Sequence, residues 1–437
     1  FKPIDSLTGK NVFIDKGDLL FKDIYSTDTN QVNAAISAIF DIKSEAKYIS
    51  EYMKLAKNIP AQAKNPVAFK SMMYRKIGKV GDKTVIPYLK EEYMHAGDTA
   101  DYQFAILRGL CLMNKPEAVT AYKELLLTET PFGQSNSDFM LFDGLRDSIK
   151  LSAALYPDLF DLLIVDEYKM GVYNLLADLL DSNALSPTVY KDKLSIVLNE
   201  GKMNLKRVLA NVEEEDNYDY DYDYGYNDGE GKLETFNRLL LPYYDQPNVK
   251  AHFDKLFASE NKRLKLNTMS LFLAKGKTVD TAVINTLAAD DKYRLDTYKA
   301  LQKAKKLNLF PSQYKTPDYY AKAMLMDEFY VADKDSVELL ETRKMEWKGK
   351  KGTVYIYKYK TGGYDGEGYK LAYIGLLPTE GDKMPSENEF TVSGLDVLDE
   401  DEEQGKQVND MLVEVLRDSR KNDYSKYYYH LSDEEYE

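Results

Sequence analysis

A chain of 437 residues with 44% hydrophobic and 12% aromatic residues is long enough for two or three domains and too apolar to be mostly disordered. Its formal net charge of −14 argues against nucleic acid as the main partner and against an anionic membrane surface, since both are held by Lys and Arg neutralising phosphates. The lone cysteine, Cys111, excludes an internal disulfide, and no run of about 18 apolar residues is available to span a bilayer. Tyrosine is the outlier, at 36 residues against 17 Phe and one Trp. A tyrosine buries a ring yet keeps its hydroxyl hydrated, which suits thin structures with half-buried side chains and equally suits a recognition surface.

The chain begins at Phe1 with neither an initiator Met nor a signal peptide, so a processed product is expected, either exported or cut from a larger parent. Residues 1–29 read as an irregular opening segment with short apolar clusters at Val12 to Ile14 and Leu19 to Phe21. Helical periodicity starts at about Asn30, where Val32, Ala35, Ile36, Ile39 and Phe40 share a face and Thr27 to Asn30 supply cap residues. From Asn65-Pro66 onward a helix-turn-helix pattern is written twice. RKIGKVGDKTVIPYLKEEY from Arg75 superimposes on RGLCLMNKPEAVTAYKELL from Arg108 with a shift of about 33 residues, within the range of stacked helical repeats. In that register Ile77, Val80, Val85, Ile86 and Leu89 fall opposite Leu110, Met113, Ala118, Val119 and Tyr122, and the break Gly81-Asp82 falls opposite Asn114-Lys115. Gly78 and Gly81 are read as closing the first helix, and Cys111 as a small core residue.

Further helices are predicted after the turn-rich ETPFGQSNSD, from Pro157 through DLFDLLIVDEY, over VYNLLADLLD, and from the Ser186-Pro187 start. Residues 213–230, EEEDNYDYDYDYGYNDGE, hold nine acids and no Lys or Arg and read as an exposed insertion. Helices resume at Leu233, and ASENKRL from Ala258 echoes ADDKYRL from Ala289, pairing Arg263 with Arg294 and Leu264 with Leu295. Residues 30–330 are therefore predicted to form one helical repeat array. Across residues 331–395 the period changes to alternation, giving three strands in VELLETRKMEWKG, GTVYIYKYKTGG and YKLAYIGLLP, a small sheet expected to pack on the end of the array. Residues 396–437 are an acidic linker, an amphipathic helix through Val408, Met411, Leu412, Val415 and Leu416, and a loose tail. The predicted fold class is mainly α: an α-solenoid of antiparallel helix pairs with a small C-terminal antiparallel β domain and a terminal helix.

Two stretches offer sites. Counting Asp219 as the first residue of a twelve-residue calcium loop puts Asp221, Asp223, Asn227 and Glu230 at ligand positions, although the sharp turn that needs glycine is held by Tyr224, with Gly225 one place late. Asp219, Asp221, Asp223 and Glu230 would then neutralise Ca²⁺; a plain solvated loop and a partner-docking loop are the other readings. In the strand from Val354, Tyr355, Tyr357 and Tyr359 share one face, which could stack sugars, accept a partner strand or simply cover the helices. The three histidines, His95, His252 and His430, are isolated from each other and from Cys111, and read as surface or capping residues. No nucleophile elbow, phosphate loop or dinucleotide fingerprint is present, so no cofactor beyond that Ca²⁺ is implied and an enzyme is the less favoured class.

The helical pairs resemble HEAT- or armadillo-type repeats. LLLPYYDQPNV, LAADDKYRLDTYKAL, FPSQYK and KGTVYIYKYK resemble the C-terminal helical-plus-sheet extension of bacterial TraB/GumN-type envelope proteins. The first resemblance implies a protein-binding scaffold. The second implies a bacterial, exported accessory region, in the periplasm or cell envelope, that would position an upstream hydrolase-like module with no counterpart in these residues. The leading expectation is a non-enzymatic scaffold with a protein partner; a calcium-dependent or carbohydrate-binding module and the accessory region are the alternatives, and a cytoplasmic location stays open.

Overall fold

The computed structural model describes residues 17–97, 99–132, 137–146, 149–210, 229–329, 331–361, 368–378, 390–394 and 397–421. The protein is mainly α-helical with one four-stranded antiparallel sheet near its C-terminal end, the predicted class. It divides into two compact units, Phe1–Val208 with Asp219–Tyr243, and Leu209–Tyr218 with Tyr244–Glu437. The sheet belongs with the helices that follow Tyr244, so the expected single array over residues 30–330 is divided inside its helical part.

The first unit opens with α1 (Gly17–Ile24) and α2 (Thr29–Ala38). Here an irregular segment was expected, but Leu20, Phe21 and Ile24 fall on one helical face and are buried together. Asp28 caps α2 by accepting a hydrogen bond from Asn30 N, which places the predicted cap within its tetrapeptide. After α3 (Ile49–Lys57) comes the duplicated region: α4 (Pro66–Val80), α5 (Ile86–His95), α6 (Ala100–Met113) and α7 (Pro116–Thr128). Asn65 caps α4 and Pro66 takes its first turn, where a missing N–H costs nothing. Both first helices end on a left-handed residue, Gly81 at φ 70° and Asn114 at φ 51°, so the predicted break recurs as the same backbone device.

Gly78 does not stop its helix. It lies where α4 crosses α6, and a Cβ there would come within 2.1 Å of the Gly109 carbonyl oxygen. The two backbones touch because neither residue carries a side chain.

Next follow α8 (Ser137–Arg146), the short α9 (Ile149–Ser152), a 3₁₀ segment (Asp158–Ile164), α10 (Asp166–Asp181), a second 3₁₀ segment (Pro187–Lys193), α11 (Leu194–Ala210) and α12 (Gly229–Leu240). Ser186 caps the second 3₁₀ segment through Thr188 N, as the Ser-Pro pair predicts, although the first turns are 3₁₀ and α11 begins only at Leu194. The helices alternate in space: α4 packs on α6, α6 on α8, α8 on α10 and α10 on α12, while α5 and α7 pack beside each other as a second row.

The second unit holds α13 (Pro247–Ala258), α14 (Lys262–Ala274), α15 (Thr281–Ala289), α16 (Asp291–Lys303) and α17 (Pro317–Glu328); α14 packs on α16 as in that alternation, and α16 also packs on its chain neighbours α15 and α17. The sheet stacks next, in the order β1 (Asp333–Trp347), β2 (Lys350–Thr361), β3 (Gly368–Leu377) and β4 (Phe390–Ser393), with β3 against α17. β4 was not expected from the sequence; its four residues are too few to display an alternation. The terminal helix α18 (Gln404–Lys421) lays Val408, Leu412 and Val415 on the opposite sheet face. No helix among the described residues is long and apolar enough to cross a membrane.

Candidate functional site

Alternation sends the side chains of β2 to two faces, and both faces are covered. Val354 and Ile356 join Trp347, Leu371, Tyr373 and Leu376 beneath α18. Tyr355, Tyr357 and Tyr359 join Tyr298, Phe310, Tyr320 and Leu325 on the side of α16 and α17. Their exposures are 5%, 3% and 2%, which corrects the reading of this row as a partner-binding surface. The rings serve as the layer between sheet and helices.

The hydroxyls behind these rings meet the first turn of α17 and the end of β4. Tyr355 donates to the Asp318 carboxylate in the first turn of α17, Tyr357 Oη lies 3.5 Å from the Asp318 carbonyl, and Tyr359 Oη lies 2.7 Å from Ser393 Oγ. Burial pushes the Tyr355 and Tyr357 hydroxyls well above the usual tyrosine range, and the Asp318 charge adds to it. A phenol held protonated in this way donates hydrogen bonds and is unsuited to act as a base near neutrality.

Beside them Arg294, 1% exposed, closes the end of α15. Its guanidinium donates to the carbonyls of Ala288 and Ala289 at 2.8 and 3.1 Å and to Asp291 at 2.5 Å, with the rings of Tyr314 and Tyr319 over it at 5.0 and 4.7 Å. Burial alone would raise the Asp291 carboxyl, but hydrogen bonds from Lys322 and Arg294 outweigh it and hold the group below the usual carboxylate range. This cluster is a set of satisfied pairs, and what it does is fasten α15, α16, α17 and β2 together. The echo that paired Arg263 with Arg294 holds for the leucines, both buried, but Arg263 is exposed.

Of the proposed calcium ligands, Asp219, Asp221 and Asp223 lie outside the described residues, and so does the side chain of Glu230 at the start of α12. Among the described residues no three His, Cys, Asp or Glu side chains gather as a metal would need. Cys111 is buried as predicted. His252, read as a surface or capping residue, is instead buried with its ring edge-on to Phe253.

The first unit presents a different surface. Its second row is tied together by ion pairs that each step about one repeat along the chain: Lys83–Glu117 at 3.3 Å, Lys90–Glu124 at 2.5 Å and Lys123–Asp158 at 2.6 Å. Buried hydroxyls make a similar step, from the C-terminal end of α5 and the first turn of α10 to the chain that follows α7. Tyr93 donates to the Glu129 carbonyl at 2.6 Å, and Tyr168 donates to the Pro131 carbonyl. Around these ties four large apolar side chains face solvent: Met94 beside Tyr93, Leu127 at the end of α7, Phe132 next to Pro131 at 68% exposure, and Ile164 just before α10 at 88%. Met94, Leu127 and Ile164 recur roughly one repeat apart, at the same end of successive elements. The sequence held this spacing, but apolar residues at helical positions read as core until neighbouring elements show which of them are covered.

No protein-family model, curated protein or solved structure matches the chain.

Proposed function

We propose that the protein is a non-enzymatic interaction scaffold and that the first unit binds a protein partner over the repeat-spaced apolar stripe Met94, Leu127, Phe132 and Ile164. The observation that carries this reading is the exposure of Phe132 and Ile164, 68% and 88%, on a framework whose other large apolar groups are mostly packed inside. Clustered exposed apolar side chains on a folded chain mark association surfaces. A framework of stacked helix pairs suits that role, because adding or removing a pair lengthens the surface without altering its neighbours. The resemblance to envelope-protein extensions supports an exported setting for the scaffold, as an accessory region that positions a further module.

The test compares the full chain with a Phe132→Ser/Ile164→Ser variant, each immobilised and exposed to envelope and cytosolic extracts of the source cells. Both positions are solvent-facing, so the variant is expected to keep its helical content by circular dichroism. A protein retained by the parent chain and lost from the variant is the expected result. An identical retained set from both chains overturns the assignment of this surface.

A further inference from the structure

We infer that the exposed face of α11 is a second docking surface, shaped for an acidic segment of a protein partner with an apolar centre. The inference rests on the scaffold reading but concerns another face of the first unit. One side of α11 is buried through Leu194, Val197, Leu198, Gly201, Leu205 and Val208. At about 100° of rotation per residue, the opposite side places Ile196, Asn199 and Met203 along its middle, Lys202 and Lys206 on one border and Arg207 on the other. Ile196 and Met203 are 49% and 47% exposed, and the three cations are exposed as well.

Charge decides what this face fits. In the same unit lysines reach across to carboxylates: Lys83 to Glu117, Lys90 to Glu124, Lys123 to Asp158, and Lys169 to Glu200 on α11 itself. Glu200 is thus engaged by α10, whereas among the described residues no carboxylate pairs with Lys202, Lys206 or Arg207. An apolar strip rimmed by exposed cations that no described carboxylate engages matches the anatomy of a protein interface whose partner carries acids around apolar residues. A thioether at the centre adapts to several apolar shapes. A long polyanion is the poorer fit, because the chain carries −14 overall and repels it outside this patch. A short acidic segment meets mainly the local cations, within a Debye length of about 8–10 Å.

The probe is a fluorescein-labelled synthetic helix with leucines seven residues apart and glutamates on both flanks, with a glutamine-for-glutamate peptide as control. Fluorescence anisotropy on the full chain is expected to show saturable binding of the glutamate peptide, weakened by salt. Affinity should fall at least tenfold in K202E/K206E/R207E and in Ile196→Ser/Met203→Ser, both of which should retain the parent circular dichroism spectrum. The Phe132→Ser/Ile164→Ser chain should bind the peptide like the parent, which separates failure of this face from failure of the apolar stripe. Equal binding by the parent and charge-reversed chains overturns the proposal. So do equal binding of the glutamine peptide, and tighter binding of an oligo-dT strand or phosphatidylglycerol vesicles than of the glutamate peptide.

Discussion

Gly78 shows how much of this architecture turns on single atoms. In sequence it stands three residues before Gly81 and looks like part of a helix stop, yet the two glycines do unrelated work. Gly81 supplies a left-handed φ of 70° at the end of α4, whereas Gly78 supplies the absence of a Cβ where α4 meets Gly109 of α6. Gly78→Ala would place its methyl group 2.1 Å from a backbone oxygen, and backbone cannot rotate away as a long side chain would. The substitution gains helix propensity, worth up to about 1 kcal/mol in a helix interior. Against that stands the strain of overpacking, typically about 1–3 kcal/mol and larger where the neighbour cannot move. Net destabilisation of roughly 1–3 kcal/mol is therefore expected in urea unfolding. Gly276→Ala, at a φ of 71° with open space around it, should instead show only the cost of a left-handed alanine, about 1–2 kcal/mol. Equal stability of Gly78→Ala and the parent chain would mean that the helices can separate at this crossing at no cost.

At the scale of elements, legibility followed the directness of the physical signal. The break at Gly81 and its counterpart Asn114 were readable because a left-handed helix end selects very few residue types, and both positions use it. Ser186 was readable as a cap because a short side chain must satisfy an N–H that the helix leaves unpaired, and Asn65 at the start of the duplicated region does the same for α4. Burial was harder to read. Tyr355, Tyr357 and Tyr359 alternate with Val354 and Ile356, and alternation tells that a strand has two faces without telling whether either is wet. Both are dry here because the helices cover one face and α18 the other. The apolar stripe and the α11 face escaped for the converse reason, since Ile164, Ile196 and Met203 sit where a core residue would be read. The cover by α18 is itself open to test, because the chain's one tryptophan, Trp347, lies in the cluster that α18 closes with Val408, Leu412 and Val415. Tyr373 Oη donates to the Val408 carbonyl at 2.6 Å and Arg343 donates to the Asn409 side chain at 2.8 Å, so polar ties reinforce the apolar contact. Leu412→Asp places a charge in this layer, which should lift α18 and shift Trp347 emission to the red before any denaturant is added. Unchanged emission would show that Trp347 is shielded without α18.

For the molecule as a whole, the tyrosine excess predicts how the fold fails at high pH. Tyr52, Tyr74, Tyr93, Tyr122, Tyr168, Tyr173, Tyr190, Tyr320, Tyr359 and Tyr373 are among the largest fully buried side chains, so among the described residues tyrosine is chiefly interior material and not the half-wet surface that composition allows. Many of their hydroxyls reach a neighbouring backbone carbonyl, as Tyr122 does at Leu141, Tyr156 at Val172 and Tyr190 at Leu239. Burial pushes Tyr52 and Tyr173 up to about 12, and holds Tyr122, Tyr156 and Tyr190 well above the usual tyrosine range. An unfolded tyrosine ionises near pH 10, so above that pH the unfolded chain binds fewer protons than the native one and stability falls as pH rises. For Tyr52 and Tyr173 the loss begins near pH 10 and continues through about pH 12, each tenfold difference in proton affinity corresponding to about 1.4 kcal/mol. Lys76 acts in the opposite sense. Burial lowers its pKa, with Lys79 adding and Asp41 opposing, so the cost of keeping it charged among the carbonyls of Phe40 and Ile42 is relieved as pH rises. One lysine cannot offset a set of tyrosines that all lose in the same direction. The chain should therefore unfold cooperatively above pH 10, well before its buried tyrosines would ionise in place. In an alkaline titration, solvent-exposed tyrosines should give the first rise in tyrosinate absorbance with helical ellipticity intact. The buried set should then appear as a second rise that coincides with loss of ellipticity and is hysteretic if refolding is slow. A single rise centred near pH 10 with the helices still formed would mean that the buried hydroxyls are reached by solvent in the folded state.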